Sequence, residues 1–180
     1  AGDRVLRVAA GEHAHPGPPP ARRWAVDPFP EPAAIYDVVR ALARGGPEAA
    51  ERLIGELKDA GLRGMGGAGF PTHLKWRTVR DAPAEGGEKY VVCNADEGDS
   101  GTFSDRMIME GDPLVLVEGM AIAGIATGAT HGYIYVRSEY PDAERALIAA
   151  IANAEKHGIL GDSVLGSGKA FHLEVRRGAG

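Results

Sequence analysis

The chain has 180 residues, 44% apolar and 25% charged, a balance typical of a soluble globular protein with one sizeable core. Its 20 basic and 25 acidic side chains give a net charge of -5 without a long basic run, which excludes nucleic acid as the main partner. The single cysteine, Cys93, excludes an internal disulfide and cannot by itself hold an iron–sulfur cluster or a structural zinc, so we expect a reducing, cytoplasmic setting.

The N-terminal part of the chain, residues 1–32, is predicted to be an irregular connector or wrapping arm. Its segments HPGPPP and DPFPEP place prolines where neither a helix nor a central strand tolerates them. Apolar residues at helical spacing predict a helix over 33–44, and the Gly-Gly-Pro that follows ends it. A second helix is predicted over 48–60, just before Gly61.

Beyond a glycine-rich segment, helical and strand-like patterns alternate along the chain. We predict helices over 71–80, 105–110, 114–127 and 141–157, and strands over 89–94, 132–136 and 171–176. From the first strand onward, the βαβαβ order predicts a three-layer α/β fold with a mostly parallel sheet. Ligands bind such sheets at the carboxyl ends of the strands.

The longest apolar run, residues 114–129, is interpreted as a core helix. It carries Glu118 and is shorter than the roughly 20 residues that a membrane span needs. It is also rich in small residues that suit close packing, namely Gly119, Ala121, Ala123, Gly124 and Ala126. We therefore expect no direct membrane insertion.

The segment GMGGAG, residues 64–69, is the first candidate site. It matches G-x-G-x-x-G, but a helix-like run precedes it, whereas the dinucleotide motif needs a strand there, so a standard Rossmann domain is not expected. Glycines let the backbone approach a ring or a phosphate, and Lys75 adds a positive charge shortly afterwards. A flexible surface loop is the alternative, and Phe70 and the Lys75-Trp76 pair favour the functional interpretation.

The segment NADEGDSGTFSDR, which starts at Asn94, is the second candidate. It places amide and carboxylate side chains on the turn after a strand, where they can contact ring atoms or ribose hydroxyls: Asn94, Asp96, Glu97 and Asp99. The spacing of a calcium loop is not met. Ser104 is expected to cap the following helix. Cys93 is interpreted as a small buried hydrophobe, and no metal-ligand spacing is found among the histidines.

Four segments, 62–76, 90–106, 112–120 and 133–140, together resemble the FMN- and NADH-binding flavoprotein subunit of respiratory complex I. The same module occurs in NAD-reducing hydrogenases and in NAD-linked formate dehydrogenases that contain molybdenum or tungsten. The resemblance covers about 61–180 and implies the fold of the complex I FMN-binding domain, with residues 33–180 forming an FMN- and NADH-binding domain.

The resemblance also implies roles for individual residues. The loop against FMN and the nucleotide would be Gly64, Gly66, Gly67, Ala68 and Gly69. Lys75 would reach the FMN phosphate, and the isoalloxazine and ribityl parts would be held by Asn94, Asp96 and Glu97. Phe70 would stack on NADH and Asp99 would contact its ribose. The chain departs from the family pattern at three places. Met65 replaces an arginine, the stretch Arg77-Thr78-Val79 replaces an aromatic residue that often follows the Lys-Trp pair, and Asp99 replaces a glutamate.

The family continues with a Gly-Glu-Glu-Thr segment that completes the flavin site, a ubiquitin-like domain and a 4Fe–4S domain, so the resemblance implies that the present chain is truncated. The implied activity is hydride transfer between NAD(H) and FMN, then one-electron transfer to iron–sulfur clusters, with no residue catalytic in the narrow sense. Implied partners are a thioredoxin-like 2Fe–2S subunit and, in a formate dehydrogenase, a molybdenum or tungsten subunit.

Met65 and the soluble character favour the beta subunit of a formate dehydrogenase. The alternatives are the NADH dehydrogenase subunit of complex I and the diaphorase subunit of a hydrogenase. From another functional class, a nucleotide-binding or structural subunit without turnover also remains open.

Overall fold

A computed structural model of the chain describes residues 36–65 and 67–179. The expected arm, residues 1–32, lies outside this range, as do residues 33–35 of the first expected helix. Within the range every predicted helix and strand is present, and from the second helix onward each boundary lies within one residue of its expected position.

The elements follow one another in a regular order. They are α1 (Asp37–Arg44), α2 (Pro47–Asp59), α3 (Thr72–Asp81), β1 (Tyr90–Ala95), α4 (Ser104–Gly111), α5 (Pro113–Thr127), β2 (His131–Val136), α6 (Pro141–Lys156) and β3 (His172–Arg177). Short 3-10 turns, Glu85–Gly87 and Val164–Gly166, precede β1 and β3. Prolines at the starts of α2, α5 and α6 suit the first helical turn, where a backbone N–H has no partner within the helix.

The sheet is parallel, in the order β1-β2-β3, which confirms the predicted α/β class and βαβαβ order. Both crossovers move along the sheet in the same direction. With right-handed connections, α5 and α6 therefore lie on the same face, where α5 packs against β1 and β2 and α6 against β3. The helices α1, α2 and α3 pack in turn against α5.

Within the described residues, helices cover one face of the sheet. The other face, which we call the open face, carries alternate residues of each strand, including Tyr90, Val92, Tyr133 and Tyr135. Val92 is 65% exposed and Tyr90 48% exposed. Asn94, at the end of β1, belongs to this same face.

The helix α5 is the centre of the core, as the sequence predicts. Of its fifteen residues, ten are buried. Glu118 is one of these ten, and loss of water contact raises the pKa of its carboxyl to about 7, against the opposing influence of the Tyr36 backbone N–H and of Arg40. In the part of the chain that the structure describes, no helix has the length and apolar character of a membrane span.

Phe171 fixes the distance between α5 and the sheet. Its ring is fully buried and occupies the space left by two glycines, Gly124 on α5 and Gly132 on β2. A Cβ atom at Gly124 would lie 2.3 Å from the Phe171 ring, and one at Gly132 would lie 2.8 Å from it. Close packing is thus confirmed at Gly124, whereas Gly119, on the same helix, is exposed with no atom near its missing Cβ.

A lysine joins the N-terminal helices to the last connection of the chain. The Lys169 ammonium donates hydrogen bonds to the backbone oxygens of Leu42 (2.8 Å) and Gly45 (2.7 Å) at the end of α1. These oxygens have no partner within a helix, and a positive charge there also complements the helix dipole. Lys169 therefore fixes the position of α1 beside the 3-10 turn that precedes β3.

We predict that Gly124→Ala lowers the free energy of unfolding by about 1–3 kcal/mol, because the added methyl group overlaps a ring that cannot move away. Gly119→Ala is the matched control, since the same change on the same helix meets open space and should be neutral or stabilise by up to about 1 kcal/mol. Chemical denaturation of the two variants measures both values. Equal losses of stability in both would show that Phe171 does not constrain this helix.

Candidate functional site

The first part of the site is the glycine loop, residues 64–69, whose two ends are joined by backbone hydrogen bonds. The Gly64 N–H donates to the Phe70 oxygen (3.0 Å), and the Thr72 N–H donates to the Leu62 oxygen (3.0 Å). The guanidinium of Arg63 also donates to the Gly69 oxygen (3.2 Å). The loop is therefore held at its base.

The loop presents backbone donors to solvent. Gly67 and Gly69 adopt positive φ angles of 61° and 59°, a region that glycine enters without strain. Gly64, Gly67 and Ala68 are exposed, whereas Gly66 is not among the described residues. Within the described chain, the N–H groups of Gly67, Ala68 and Gly69 donate to no acceptor. Phe70, next to the loop, is 50% exposed.

Lys75 lies in the first turn of α3, directly after the loop. Its side chain is exposed, and no acidic residue of that turn accompanies it. Among the described residues its ammonium has neither a hydrogen bond nor an ion pair. A positive charge near the N-terminus of a helix opposes the helix dipole, so this placement becomes favourable only when an anion is nearby.

The second part of the site comprises the last two residues of β1 and the turn after them, residues 94–99, which we call turn 94–99. The Asn94 side-chain oxygen accepts a hydrogen bond from the Asp96 N–H (3.0 Å). Asn94, Asp96 and Asp99 are all exposed. The carboxylates of Asp96 and Asp99 form no hydrogen bond or ion pair with the rest of the described chain. Three polar side chains at the carboxyl end of β1 thus remain available to a ligand.

Glu97, in the same turn, is oriented differently. It is only 7% exposed, and its carboxylate accepts hydrogen bonds from Ser104 Oγ (3.0 Å), the Asp105 N–H (3.0 Å), the Arg106 N–H (3.2 Å) and Tyr140 Oη (3.3 Å). Burial alone would raise the pKa of this carboxyl, but the four donors outweigh it and hold the pKa below its usual value.

Glu97 also corrects an expectation about the cap of α4. The sequence favoured Ser104 as the capping residue, but Ser104 is the first residue of the helix and its hydroxyl donates to Glu97. The carboxylate of Glu97 binds the first free N–H groups of α4 instead, the role that a capping side chain usually has. Ser104 lies seven positions after Glu97 in the sequence, so the local capping pattern could not reveal this contact.

Sequence reasoning missed Arg137 and Tyr140, which lie on the connection between β2 and α6. Arg137 donates to the backbone oxygen of Glu97, and its guanidinium carbon lies 5.3 Å from the centre of the Tyr140 ring. Arg106 lies at a similar distance, 5.2 Å, from the same ring. The available signal was the position of Arg137 immediately after β2, because parallel strands bring their carboxyl ends to the same edge.

Three other side chains lie outside the two parts of the site, namely Cys93 and the two arginines at the end of β3. Burial raises the pKa of the Cys93 thiol, which disfavours the reactive thiolate. Arg177 pairs with Glu144 and Arg176 with Glu174. Over residues 36–65 and 67–179, no group of three or more histidine, cysteine, aspartate or glutamate side chains is placed to hold a metal ion.

We predict that Glu97→Gln destabilises the chain by about 1–3 kcal/mol at neutral pH, because an amide cannot satisfy four donors. The pKa of Glu97 is lowered in the folded state, so its stabilising contribution is present above the unfolded pKa and is lost as the pH falls through the folded value. The difference in unfolding free energy between wild type and variant should therefore shrink on acidification.

Denaturation measured at a series of pH values tests this prediction. Glu56→Gln, at an exposed position on α2, is the control and should leave stability nearly unchanged at every pH. A difference between wild type and Glu97→Gln that stays constant with pH would contradict the assigned ionisation.

Known proteins are similar to this chain in sequence. The chain is 48% identical over 147 residues to an NADH-quinone oxidoreductase subunit of Rhizobium meliloti, covering 77% of this chain and 34% of that protein. It is 52% identical over 124 residues to the NADP-reducing hydrogenase subunit HndC of Solidesulfovibrio fructosivorans, covering 69% of this chain and 25% of that protein. The present chain thus spans about a third or less of these relatives.

A solved structure is similar to this chain in both fold and sequence. An NAD+-reducing [NiFe]-hydrogenase in the H2-reduced state superposes with a TM-score of 0.67 at 36% identity, over 81% of this chain and 24% of that one. The family model described as the Nuo51 FMN-binding domain matches residues 57–180, which include the glycine loop, turn 94–99 and all three strands. The chain therefore belongs to the Nuo51 FMN-binding domain family.

Proposed function

We propose that this chain is the FMN- and NADH-binding part of a flavoprotein subunit. In the whole protein, a hydride would pass between NAD(H) and FMN, and single electrons would pass on to iron–sulfur clusters, including a 4Fe–4S cluster held elsewhere in the subunit. One observation carries the proposal: within the described chain, the Lys75 ammonium and the amide groups of Gly67, Ala68 and Gly69 form a set of donors without partners.

The donor set fits the phosphate of FMN. Free backbone N–H groups in a glycine-rich loop bind anions, and a lysine adds a charge-assisted hydrogen bond. The unfavourable position of Lys75 at the start of α3 is compensated when a phosphate binds beside it. The residues predicted to surround this end of FMN are Gly64, Gly66, Gly67, Ala68, Gly69 and Lys75.

The polar residues of turn 94–99 fit the ribityl chain and the ring edge. Asn94 offers both a donor and an acceptor, and the Asp96 carboxylate accepts from hydroxyl or ring N–H groups. Glu97 is predicted to belong to the same region. For NADH, the half-exposed ring of Phe70 offers a stacking surface, and Asp99 offers an acceptor for a ribose hydroxyl.

The placement of α3 supports a single pocket formed by both parts. The Lys89 ammonium donates to the Arg80 oxygen (2.5 Å), so the end of α3 lies at the start of β1. α3 also packs along α5. α3 has ten residues, so its first turn lies about 15 Å from its last residue. We infer that this first turn points toward the other end of β1. Turn 94–99 lies at that end of β1.

When bound, FMN supplies the redox chemistry, because it exchanges a hydride with the nicotinamide and single electrons with a cluster. The chain's own residues bind the phosphate, orient the ring and position the nucleotide. No side chain is assigned a proton transfer, since the hydride carries its own proton and electrons. We therefore predict no catalytic residue in the narrow sense.

The complex in which the subunit acts belongs to the same proposal. Formate oxidation, with a thioredoxin-like 2Fe–2S subunit and a molybdenum or tungsten subunit in the cytoplasm, stays a prediction. Its sequence basis is Met65, which is fully solvent-exposed in the loop. The names of two relatives favour a second candidate, a subunit of an NADH-quinone oxidoreductase or of a hydrogenase.

The full-length protein, purified with its own partners, should contain FMN, and addition of NADH without oxygen should bleach the visible flavin absorption. Electrons should then reduce the iron–sulfur clusters, which electron paramagnetic resonance detects. A protein that binds NADH but carries no flavin would support a nucleotide-binding module without turnover. A protein that binds neither would support a structural subunit.

We further predict that Lys75→Ala, or Asp96→Ala, raises the dissociation constant for FMN in the full-length protein by about tenfold or more without unfolding it. Each change removes a hydrogen bond to or from a charged group, worth about 1.5–3 kcal/mol. Flavin fluorescence titration measures the constant. Lys156→Ala, an exposed lysine at the end of α6, is the control and should bind FMN as wild type does. Unchanged FMN binding in folded Lys75→Ala would exclude this phosphate site.

A further inference from the structure

We propose that Arg137 and Tyr140 are positioning residues that hold turn 94–99 in the conformation that binds the cofactor. The proposal rests on the proposed function, because it concerns the same site. Arg137 and Tyr140 both bind Glu97, and through Glu97 they fix the positions of Asn94 and Asp96.

Turn 94–99 does not fix its own conformation. Its internal contact is the Asp96 N–H to Asn94 oxygen bond (3.0 Å), and the Thr102 N–H to Asp99 oxygen bond (3.1 Å) closes the next turn. Gly98 has no atom near its missing Cβ, so nothing packs against the turn there. The side chains predicted to touch the cofactor are exposed. Contacts from other elements must therefore decide where these side chains lie.

Those contacts meet at Glu97, from two directions. The Arg137 guanidinium donates to the backbone oxygen of Glu97, and the Tyr140 hydroxyl donates to its carboxylate (3.3 Å). α4 supplies the other three donors to the same carboxylate. The main chain and the side chain of one residue are thus both bound by the connection between β2 and α6.

This connection is itself held by several side-chain contacts. Arg137 forms an ion pair with Glu139 (2.9 Å), and its guanidinium packs over the Tyr140 ring. Arg106 contacts the same ring and is held by Glu110 (2.8 Å). Pairing of Ala95 with Val136 places the ends of β1 and β2 side by side, so Glu97 and Arg137 are neighbours because of the sheet register. Cation–π contacts of this kind add to the ion pairs.

The consequence concerns binding rather than folding. With Glu97 held inward, the adjacent Asp96 remains outside and available. If the turn samples other conformations, only the competent fraction binds, and the apparent dissociation constant rises in inverse proportion to that fraction. Arg137→Met should therefore weaken FMN binding although Arg137 is not assigned any contact with FMN.

The test uses the full-length protein and titration with FMN. Arg137→Met should raise the dissociation constant about tenfold, equivalent to a turn that is competent in about one molecule in ten. Arg137→Lys should recover part of the loss, because an ammonium still donates to the Glu97 oxygen. Arg145→Met is the control: it removes an exposed arginine that pairs with Asp142 on α6, and this variant should bind FMN as wild type does.

A double-mutant cycle separates positioning from general destabilisation. If Arg137 acts through the turn, Arg137→Met should raise the dissociation constant for FMN by a clearly smaller factor in an Asp96→Ala background than in wild type. A tenfold rise in the dissociation constant in both backgrounds would overturn the positioning role. An unchanged dissociation constant in a folded Arg137→Met protein would overturn it too. If Arg137→Met does not fold, Tyr140→Phe, which removes only the hydroxyl, takes its place in the same cycle. A wild-type protein that binds no FMN would overturn the proposed function, and the positioning role with it.

Discussion

The site depends on one buried carboxylate. Glu97 receives four hydrogen bonds, and its donors come from two separate elements, the start of α4 and the start of α6. A buried charge is tolerated only when it is fully hydrogen-bonded, so the three elements that meet here cannot move independently without leaving it unsatisfied. The polar residues that face solvent at the end of β1 take their positions from this buried one.

The fold provides the frame for that arrangement through two close contacts. Phe171 sets the distance between α5 and the sheet because two glycines leave room for its ring. Lys169 fixes α1 against the same region by binding two helix-end carbonyl oxygens. Both residues come from the short segment before β3, so one stretch of chain aligns the N-terminal helices with the sheet. The glycine loop follows those helices in the chain.

Local patterns predicted the elements well because their signals are local. Pro113 and Pro141 mark helix starts, Gly128 and Gly158 follow helix ends, and β-branched residues mark the strands. The contacts that shape the site are long-range. Tyr140 lies 43 residues from Glu97 and Arg137 lies 40 residues from it, and both contacts depend on the strand register. A carboxylate in a polar turn also predicts exposure, so the inward orientation of Glu97 could not be deduced from its neighbours.

The open face of the sheet has a consequence for handling the protein. In the described part of the chain, the side chains of Val92, Tyr90 and Tyr135 form an apolar surface beside β1, a strand at the edge of the sheet. Contiguous apolar surface next to an unpaired strand edge favours association between molecules. Wherever this face is left uncovered, concentrated solutions should therefore become turbid sooner than solutions in which it is covered.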